Sequence, residues 1–282
     1  MKKLIFAAAA VAGMGAFALE SANVVGYTEF TTETKKQPSF GACFTPINGE
    51  ATYKLKELIP TDFDPDSDIV QLVNPTTLGT DAQYVYMSKE IADAAAEEDG
   101  EAPGAYDELV GWWDAGLGVG EDGAAVGETP IKVGQAFLGL FESGNNIKFQ
   151  SSGSVPLTST GISTDFKKQP FFSNYLPKVI ALGTIVAEDF DPDADIIQVV
   201  NPETLGTDAQ YVYMSKEIAD AAAAEDGEAP GAYDELVGWW DAALGVGEDG
   251  ASANNVDVDA GAAFLGLFES GNNITFKFPA AL

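Results

Sequence analysis

The chain of 282 residues carries 14 basic and 44 acidic side chains, which gives a formal net charge of −30, and it contains no histidine. A surface this acidic repels phosphate groups, so nucleic acid and anionic membranes are poor partners. The lack of histidine excludes Ser-His and Cys-His catalytic pairs and His-containing zinc sites, and a single cysteine, Cys43, excludes an internal disulfide.

The first 18 residues have the pattern of a signal peptide. Lys2 and Lys3 precede a short apolar run, Leu4 to Gly15, and Ala16-Phe17-Ala18 is a small-x-small cleavage site. The run is too short to span a bilayer, which needs about 20 residues, and no later segment is that long. We therefore expect export to the medium or cell surface, with the periplasm as the alternative, and no membrane insertion of the mature chain.

The rest of the chain is dominated by an internal duplication. Residues 74–123 recur at 201–250 with three changes, Thr76/Glu203, Glu97/Ala224 and Gly116/Ala243. The same offset of 127 relates Phe137–Ile147 to Phe264–Ile274. A period this long predicts a duplicated domain and not a solenoid, whose units run to roughly 20–50 residues. The predicted domains are 19–153 and 154–282.

Within one repeat, most segments have the pattern of short strands. Period-2 alternation and β-branched or aromatic residues predict strands over 23–30, 40–46, 53–59, 68–73, 83–87, 109–115, 135–141 and 147–150. Ser88 is a predicted N-cap for a helix from Lys89 to about Glu97, which Asp99-Gly100 ends. We expect 135–141 and 147–150 to form a hairpin. The predicted fold class is mainly β: two tandem homologous β-sandwich or partly open β-barrel domains, each with one short helical insertion.

The segment between the repeats, Ser151 to Ser163, is rich in Ser, Thr and Gly. It has the composition of a flexible linker, or it contains a strand that closes the first domain or opens the second. Ser154 to Thr158 precedes the second KKQP as Asn23 to Tyr27 precedes the first, and no such strand follows Phe278. Asn23 to Tyr27 is therefore a candidate spare strand that pairs with a neighbouring copy.

The order of motifs supports a resemblance. SANVVGY follows the export signal, and a KKQP segment, a GWWD strand and a FLGLF strand then occur twice. In this respect the chain resembles a group of exported two-repeat proteins of Verrucomicrobia-like bacteria that open with S-A-N-x-V-G-Y. The resemblance implies the repeated architecture and an envelope location, and it implies no activity. The helix-bearing insertion of this chain departs from the shorter hairpin of that group.

Alternating aspartates form a candidate metal site in each repeat. The candidate ligands are Asp64, Asp66, Asp68, Asp191, Asp193 and Asp195. Carboxylates at alternate positions of a tight loop can surround Ca²⁺. However, the sixth and twelfth positions of an EF-hand loop are occupied by Ile69 and Pro75. An acidic turn with Asx hydrogen bonds is the simpler interpretation.

Aromatic residues supply the candidate ligand or partner contacts. The set is Tyr84, Tyr86, Trp112, Trp113, Tyr211, Tyr213, Trp239 and Trp240. Exposed rings beside carboxylates would form a glycan-binding face, whereas the simpler interpretation is a core or a subunit contact. Gly118 to Gly123 matches GxGxxG but holds two acidic residues and precedes no helix, so we interpret it as a loop.

These patterns together predict a non-enzymatic protein. We expect an exported structural or surface-assembly protein that contacts itself or other envelope or extracellular proteins, with strand addition as one mode. The alternative is a bivalent glycan-binding protein with Ca²⁺ stabilisation. The near-identity of the two copies indicates either recent copying or one surface presented twice to a partner.

Overall fold

The structure, a computed structural model, describes residues 25–31, 39–41, 52–73, 80–154, 160–164, 169–200 and 207–280. The predicted signal peptide, Cys43 and residues 155–159 of the predicted linker lie outside these ranges. Neither α-helix of the described ranges reaches the length and apolarity that crossing a bilayer requires.

The described part of the first repeat contains ten strands and one α-helix. They are β1 (Val25–Thr31), β2 (Ser39–Gly41), β3 (Thr52–Lys54), β4 (Ile59–Thr61), β5 (Asp68–Val73), β6 (Thr80–Met87), α1 (Lys89–Glu98), β7 (Gly111–Asp114), β8 (Pro130–Lys132), β9 (Ala136–Phe141) and β10 (Lys148–Ser154).

The described part of the second repeat contains the same elements in the same order. They are β11 (Thr160–Ser163), β12 (Phe171–Ser173), β13 (Ile180–Ala181), β14 (Val186–Glu188), β15 (Asp195–Val200), β16 (Thr207–Met214), α2 (Lys216–Glu225), β17 (Gly238–Asp241), β18 (Asp257–Val258), β19 (Ala263–Phe268) and β20 (Thr275–Phe278).

The strands of each repeat form three antiparallel sheets. In the first repeat a five-stranded sheet has the order β2-β9-β5-β6-β7, a three-stranded sheet the order β1-β10-β4, and β3 pairs with β8. The second repeat has the corresponding orders β12-β19-β15-β16-β17, β11-β20-β14 and β13-β18. A mainly β fold is therefore confirmed.

Each repeat has its own hydrophobic core. In the first, Phe141 of the five-stranded sheet stacks on Phe149 of the three-stranded sheet, with ring centroids 5.8 Å apart. Tyr53 of β3 and Ile131 of β8 belong to the same buried cluster. The equivalent pair in the second repeat, Phe268 and Phe276, stacks with ring centroids 5.9 Å apart. The apolar sides of the two larger sheets therefore face the same core.

The predicted hairpin of 135–141 and 147–150 is wrong. β9 pairs with β2 and β5, whereas β10 pairs with β1 and β4. The turn between them carries the chain from one sheet to the other, and Ser143 within it is hydrogen-bonded to Asp68. Alternation alone predicts strands but not which sheet each one joins.

The prediction of an unpaired N-terminal strand is also wrong for the residues that the structure describes. β1 pairs with β10 over its full length, from Val25 opposite Ser154 to Thr31 opposite Lys148. In the second repeat β11 pairs in the same way with β20. Of the predicted linker, residues 151–154 complete β10 and residues 160–163 form β11. Both repeats therefore have this strand, and both have it paired.

The local predictions around the helix are confirmed. The Ser88 hydroxyl accepts the backbone N–H of Ile91 at 3.2 Å, as an N-cap does. α1 ends at Glu98, next to Asp99-Gly100, and β5 has the predicted bounds. The predicted strand 53–59 is instead divided by a 3-10 turn, Leu55–Glu57, between β3 and β4.

Candidate functional site

The aspartate turn of the first repeat is held by hydrogen bonds within the chain. Asp64 accepts the backbone N–H of Asp66 (3.0 Å) and the hydroxyl of Ser67 (3.1 Å). Asp68 is fully buried and accepts the N–H of Asp64 at 2.9 Å. It also accepts the N–H (3.0 Å) and the hydroxyl (2.8 Å) of Ser143. These bonds match the Asx-turn interpretation.

The second repeat preserves this arrangement. Asp195 is fully buried and accepts the N–H groups of Asp191 (2.9 Å) and Ser270 (3.1 Å). Asp191 in turn accepts the N–H of Asp193 at 3.0 Å. In the part of the chain that the structure describes, no three acidic or cysteine side chains gather as metal ligands. The geometry therefore gives the buried aspartates a role in the turn.

A polar groove lies beside this turn in the second repeat. It has a volume of about 390 Å³ and is lined by residues 189–193, by Asn272 and by the start of α2. Asp189 has a left-handed backbone (φ 61°), and Asn272 donates its side-chain amide to the Asp189 carbonyl at 2.9 Å. In the first repeat Asp62 and Asn145 do the same. In both turns, the hydrogen bond from the asparagine side chain thus stabilises a backbone conformation that non-glycine residues rarely adopt.

The aromatic residues predicted as a ligand face lie in the cores. Tyr84, Trp112, Trp113, Tyr211, Tyr213, Trp239 and Trp240 are all buried, and Tyr86 is half-buried. Trp112 donates its indole N–H to the carbonyl of Leu58, and Trp113 donates to that of Leu109, both at 2.8 Å. A sugar-stacking platform needs an exposed ring face, so the predicted glycan-binding face is not formed by these rings.

Burial also affects the tyrosine hydroxyls of this set. Desolvation raises the pKa of Tyr86, and it also raises the pKa of its counterpart Tyr213. Desolvation, with the nearby Asp114 carboxylate, raises the pKa of Tyr84. Their phenols therefore remain neutral throughout the physiological range. The ring of Phe63 also contacts Trp112 edge-on, with ring centroids 6.0 Å apart. Burial and ring contacts of this kind are those of side chains that pack in a core.

One exposed part of the duplicated stretch is an acidic surface around the helix. We call it the helix–loop face and define it as residues 89–109, with residues 216–236 as its copy. The two copies differ only at Glu97/Ala224. The first holds one lysine and eight carboxylates: Glu90, Asp93, Glu97, Glu98, Asp99, Glu101, Asp107 and Glu108. All of these acids except Asp93 are exposed.

Polar contacts hold the loop of this face against its helix. Lys89 pairs with Asp107 at 2.5 Å and with Asp93 at 3.2 Å. Asp93 also accepts the backbone N–H of Gly104 at 2.8 Å, and Tyr106 donates its hydroxyl to Asp99 at 2.8 Å. The Gly104 N–H, with Lys89, holds the pKa of Asp93 below its usual value.

The copy of the helix–loop face has the same contacts at nearly the same distances. Lys216 pairs with Asp234 (2.6 Å) and Asp220 (3.2 Å), and Asp220 accepts the N–H of Gly231 at 2.7 Å. The i,i+4 spacing of Lys89 and Asp93 could have indicated part of this network from the sequence. The contacts across the loop have no such signal.

The sheet edge next to the helix–loop face is covered. β7 receives a short segment of its own repeat, because Asp114 donates its N–H to the Ala124 carbonyl (2.8 Å) and Val126 donates to the Trp112 carbonyl (3.0 Å). The corresponding segment covers β17 in the same way. An exposed edge invites pairing with another chain, so this covering blocks strand addition at β7 and β17.

Comparisons of the chain with family models, with curated proteins and with solved structures find no match.

Proposed function

We propose that this is an exported, non-enzymatic structural protein that presents the helix–loop face twice and acts by assembly at the cell exterior. Its partners are other envelope or extracellular proteins. The observation that carries the proposal is the uneven distribution of identity between the two copies.

The copies differ strongly just beyond the duplicated stretch. Residues 124–135 and 251–262 share only two of twelve positions, Ala124/Ala251 and Gly134/Gly261. Copying of the whole repeat followed by drift would leave differences spread evenly along it. The stretch 74–123, which contains the helix–loop face, instead differs from its copy at only three of 50 positions, and the face itself at one of 21.

Packing does not explain that retention. In α1 only Ala92 and Ala96 are buried, and the exposed acids of the face contribute nothing to a core. Surface substitutions away from special features change stability by about 0.5 kcal/mol or less. Asp99 and Asp107 have a structural role, because they take part in the contacts between loop and helix. The other exposed acids that stay the same in both copies are best explained by a requirement of the surface itself: Glu90, Glu98, Glu101 and Glu108.

The proposal also includes a more specific fold than the mainly β class. We take each repeat, 19–153 and 154–282, as a β-sandwich domain with one helical insertion. The support is the shared core, in which the five-stranded and three-stranded sheets of each repeat contribute stacked phenylalanines. The export that the proposal requires is supported by the signal-peptide pattern of residues 1–18.

Charge reversal on both faces tests this function. The variant combines Glu101→Lys with Glu228→Lys, two exposed and equivalent positions of the helix–loop face. We expect it to fold as the wild type does but to be lost from washed cell envelopes into the medium. The measurement is the fraction of protein that stays with the envelope.

A matched control separates the face from overall charge. Glu142→Lys with Glu269→Lys makes the same change in net charge at two exposed, equivalent positions outside the face. This control should keep the wild-type envelope fraction. Equal behaviour of the two double variants would contradict the proposal.

A further inference from the structure

The two repeats touch through corresponding sheet edges. β2 and β12 are the edge strands of the two five-stranded sheets, and the contacts between these sheets involve β2, β9, β12 and β19. Ser173 of β12 donates its backbone N–H to the Gly134 carbonyl at 2.8 Å, and Phe172 forms an antiparallel bridge with Gln135. Val133 packs against the core of the second repeat.

The closest approach joins two equivalent positions, Gly41 and Ser173. Each is the last residue of its edge strand, opposite Ala136 and Ala263 respectively. A Cβ at Gly41 would lie 1.8 Å from Oγ and 2.5 Å from Cβ of Ser173. The backbone of Gly41 lies outside the left-handed region, so only the proximity of the other repeat requires a glycine there.

A second glycine at the junction, Gly134, is required for its backbone conformation as well as for its contact with the other repeat. Gly134 has φ +73°, and a Cβ on it would lie 2.2 Å from Cδ1 of Ile162, which belongs to β11 of the second repeat. Both backbone conformation and inter-repeat contact therefore favour glycine at this position.

We infer that this junction makes the chain a rigid spacer, with its two helix–loop faces pointing away from a shared centre. β7 and β17 are the sheet edges farthest from the junction, each separated from it by four inter-strand spacings, or about 19 Å. The spacer role rests on the proposed function, whereas the rigidity does not. Two partner molecules then bind at opposite ends, and the chain connects them.

Distance measurements between spin labels test the rigidity in the full chain. Labels are placed on Leu117→Cys and Leu244→Cys, equivalent turn residues that are 57% and 55% exposed, in a Cys43→Ser background. Double electron–electron resonance should give a single narrow distance peak. Gly41→Ala should remove that peak and leave a broad distribution, because its methyl group cannot fit beside Ser173.

A compensating change identifies the contact. Adding Ser173→Gly to Gly41→Ala removes the clashing side chain, so the narrow peak should return. A broad distribution in the unsubstituted labelled chain, a narrow one in Gly41→Ala, or no recovery in the double variant would each overturn the inference. None of these results depends on envelope retention, so they separate failure of the rigid junction from failure of the proposed function.

A second pair of variants covers the case in which Gly41→Ala does not fold. Gly134→Ala and Gly144→Ala each add a methyl group to a residue of nearly the same φ, +73° and +74°. Only the methyl group at Gly134 would meet the other repeat, because no atom lies within 4 Å of a Cβ placed on Gly144. Gly134→Ala should broaden the distance peak and Gly144→Ala should not. Equal widths in these two variants would overturn the inference.

Discussion

At the scale of single residues, Asp68 and Asp195 connect parts of the chain that lie far apart in sequence. Each is fully buried beneath the turn that moves the chain from one sheet to the other. A buried carboxylate is costly unless donors surround it. Here the backbone N–H groups of Ser143 and Ser270 are among those donors, which explains why an aspartate starts β5 and β15.

Replacing Asp68 by Asn tests this role. The amide keeps one acceptor oxygen but places an NH₂ group against donors that need an acceptor, so we expect a loss of about 2–3 kcal/mol in the free energy of unfolding. Urea unfolding of the full chain measures it. Asp66→Asn, in the same turn but exposed, should change this free energy by less than about 0.5 kcal/mol. Equal effects of the two variants would contradict the assignment.

The hydrogen bonds of the aspartate turns also predict the response to calcium. Because Asp64 and Asp68 already accept N–H and O–H groups, we expect the turn to form without a cation. Thermal unfolding should therefore give the same Tm in EDTA and in millimolar Ca²⁺. A rise of several degrees in Ca²⁺ that Asp66→Asn removes would restore the calcium interpretation of the sequence.

At the scale of elements, the helix–loop face depends on the charge of Asp93. Its pKa in the folded chain lies below the ordinary value of 3.8. A depressed pKa contributes stability that is present above the unfolded pKa and is lost as the pH falls through the folded pKa. We expect the protection factor of the Gly104 N–H, which corrects hydrogen exchange for its intrinsic pH dependence, to fall as the pH drops below about 3.8. In Asp93→Asn the protection factor should be low and should not change with pH in this acidic range, and the same pH dependence in the variant and the wild type would contradict this account.

Elements with local signals could be predicted from the sequence. The apolar run of 68–73 lies between polar segments, and Ser88 precedes an alanine-rich stretch, so β5 and α1 are found close to their observed bounds. Pairing is a different matter, because it is decided by contacts between distant segments. Nothing local in Val25–Thr31 indicates that its partner is Lys148–Ser154.

In the candidate site, too, some features could be predicted from the local sequence and others could not. Adjacent tryptophans on a strand must point to opposite faces, and the sequence leaves open whether both faces are covered. Both Trp112 and Trp113 prove to be buried, so we assign the proposed contact surface to the helix–loop face instead. Its acids were visible in the sequence, but their arrangement depends on the contacts of Asp93 across the loop.

At the scale of the whole molecule, the first expectation is export. The mature protein recovered from outside the cytoplasm should begin at Leu19, as N-terminal mass spectrometry can determine. Replacing Lys2 and Lys3 by Glu should reduce the exported amount, because the positive region directs the signal peptide. A full-length chain that stays in the cytoplasm would remove the basis for a function at the cell exterior.

The central claim is that one surface acts twice, and bivalency makes a quantitative prediction. When the two faces bind two partner molecules that are both fixed in the envelope, the overall affinity exceeds that of one face by about 10²–10⁴. The most direct measurement is envelope retention of wild type, of Glu101→Lys, of Glu228→Lys and of the double variant. The account predicts that each single variant loses most of the retention and that the double variant loses the rest. Single variants that retain as much protein as the wild type would contradict it.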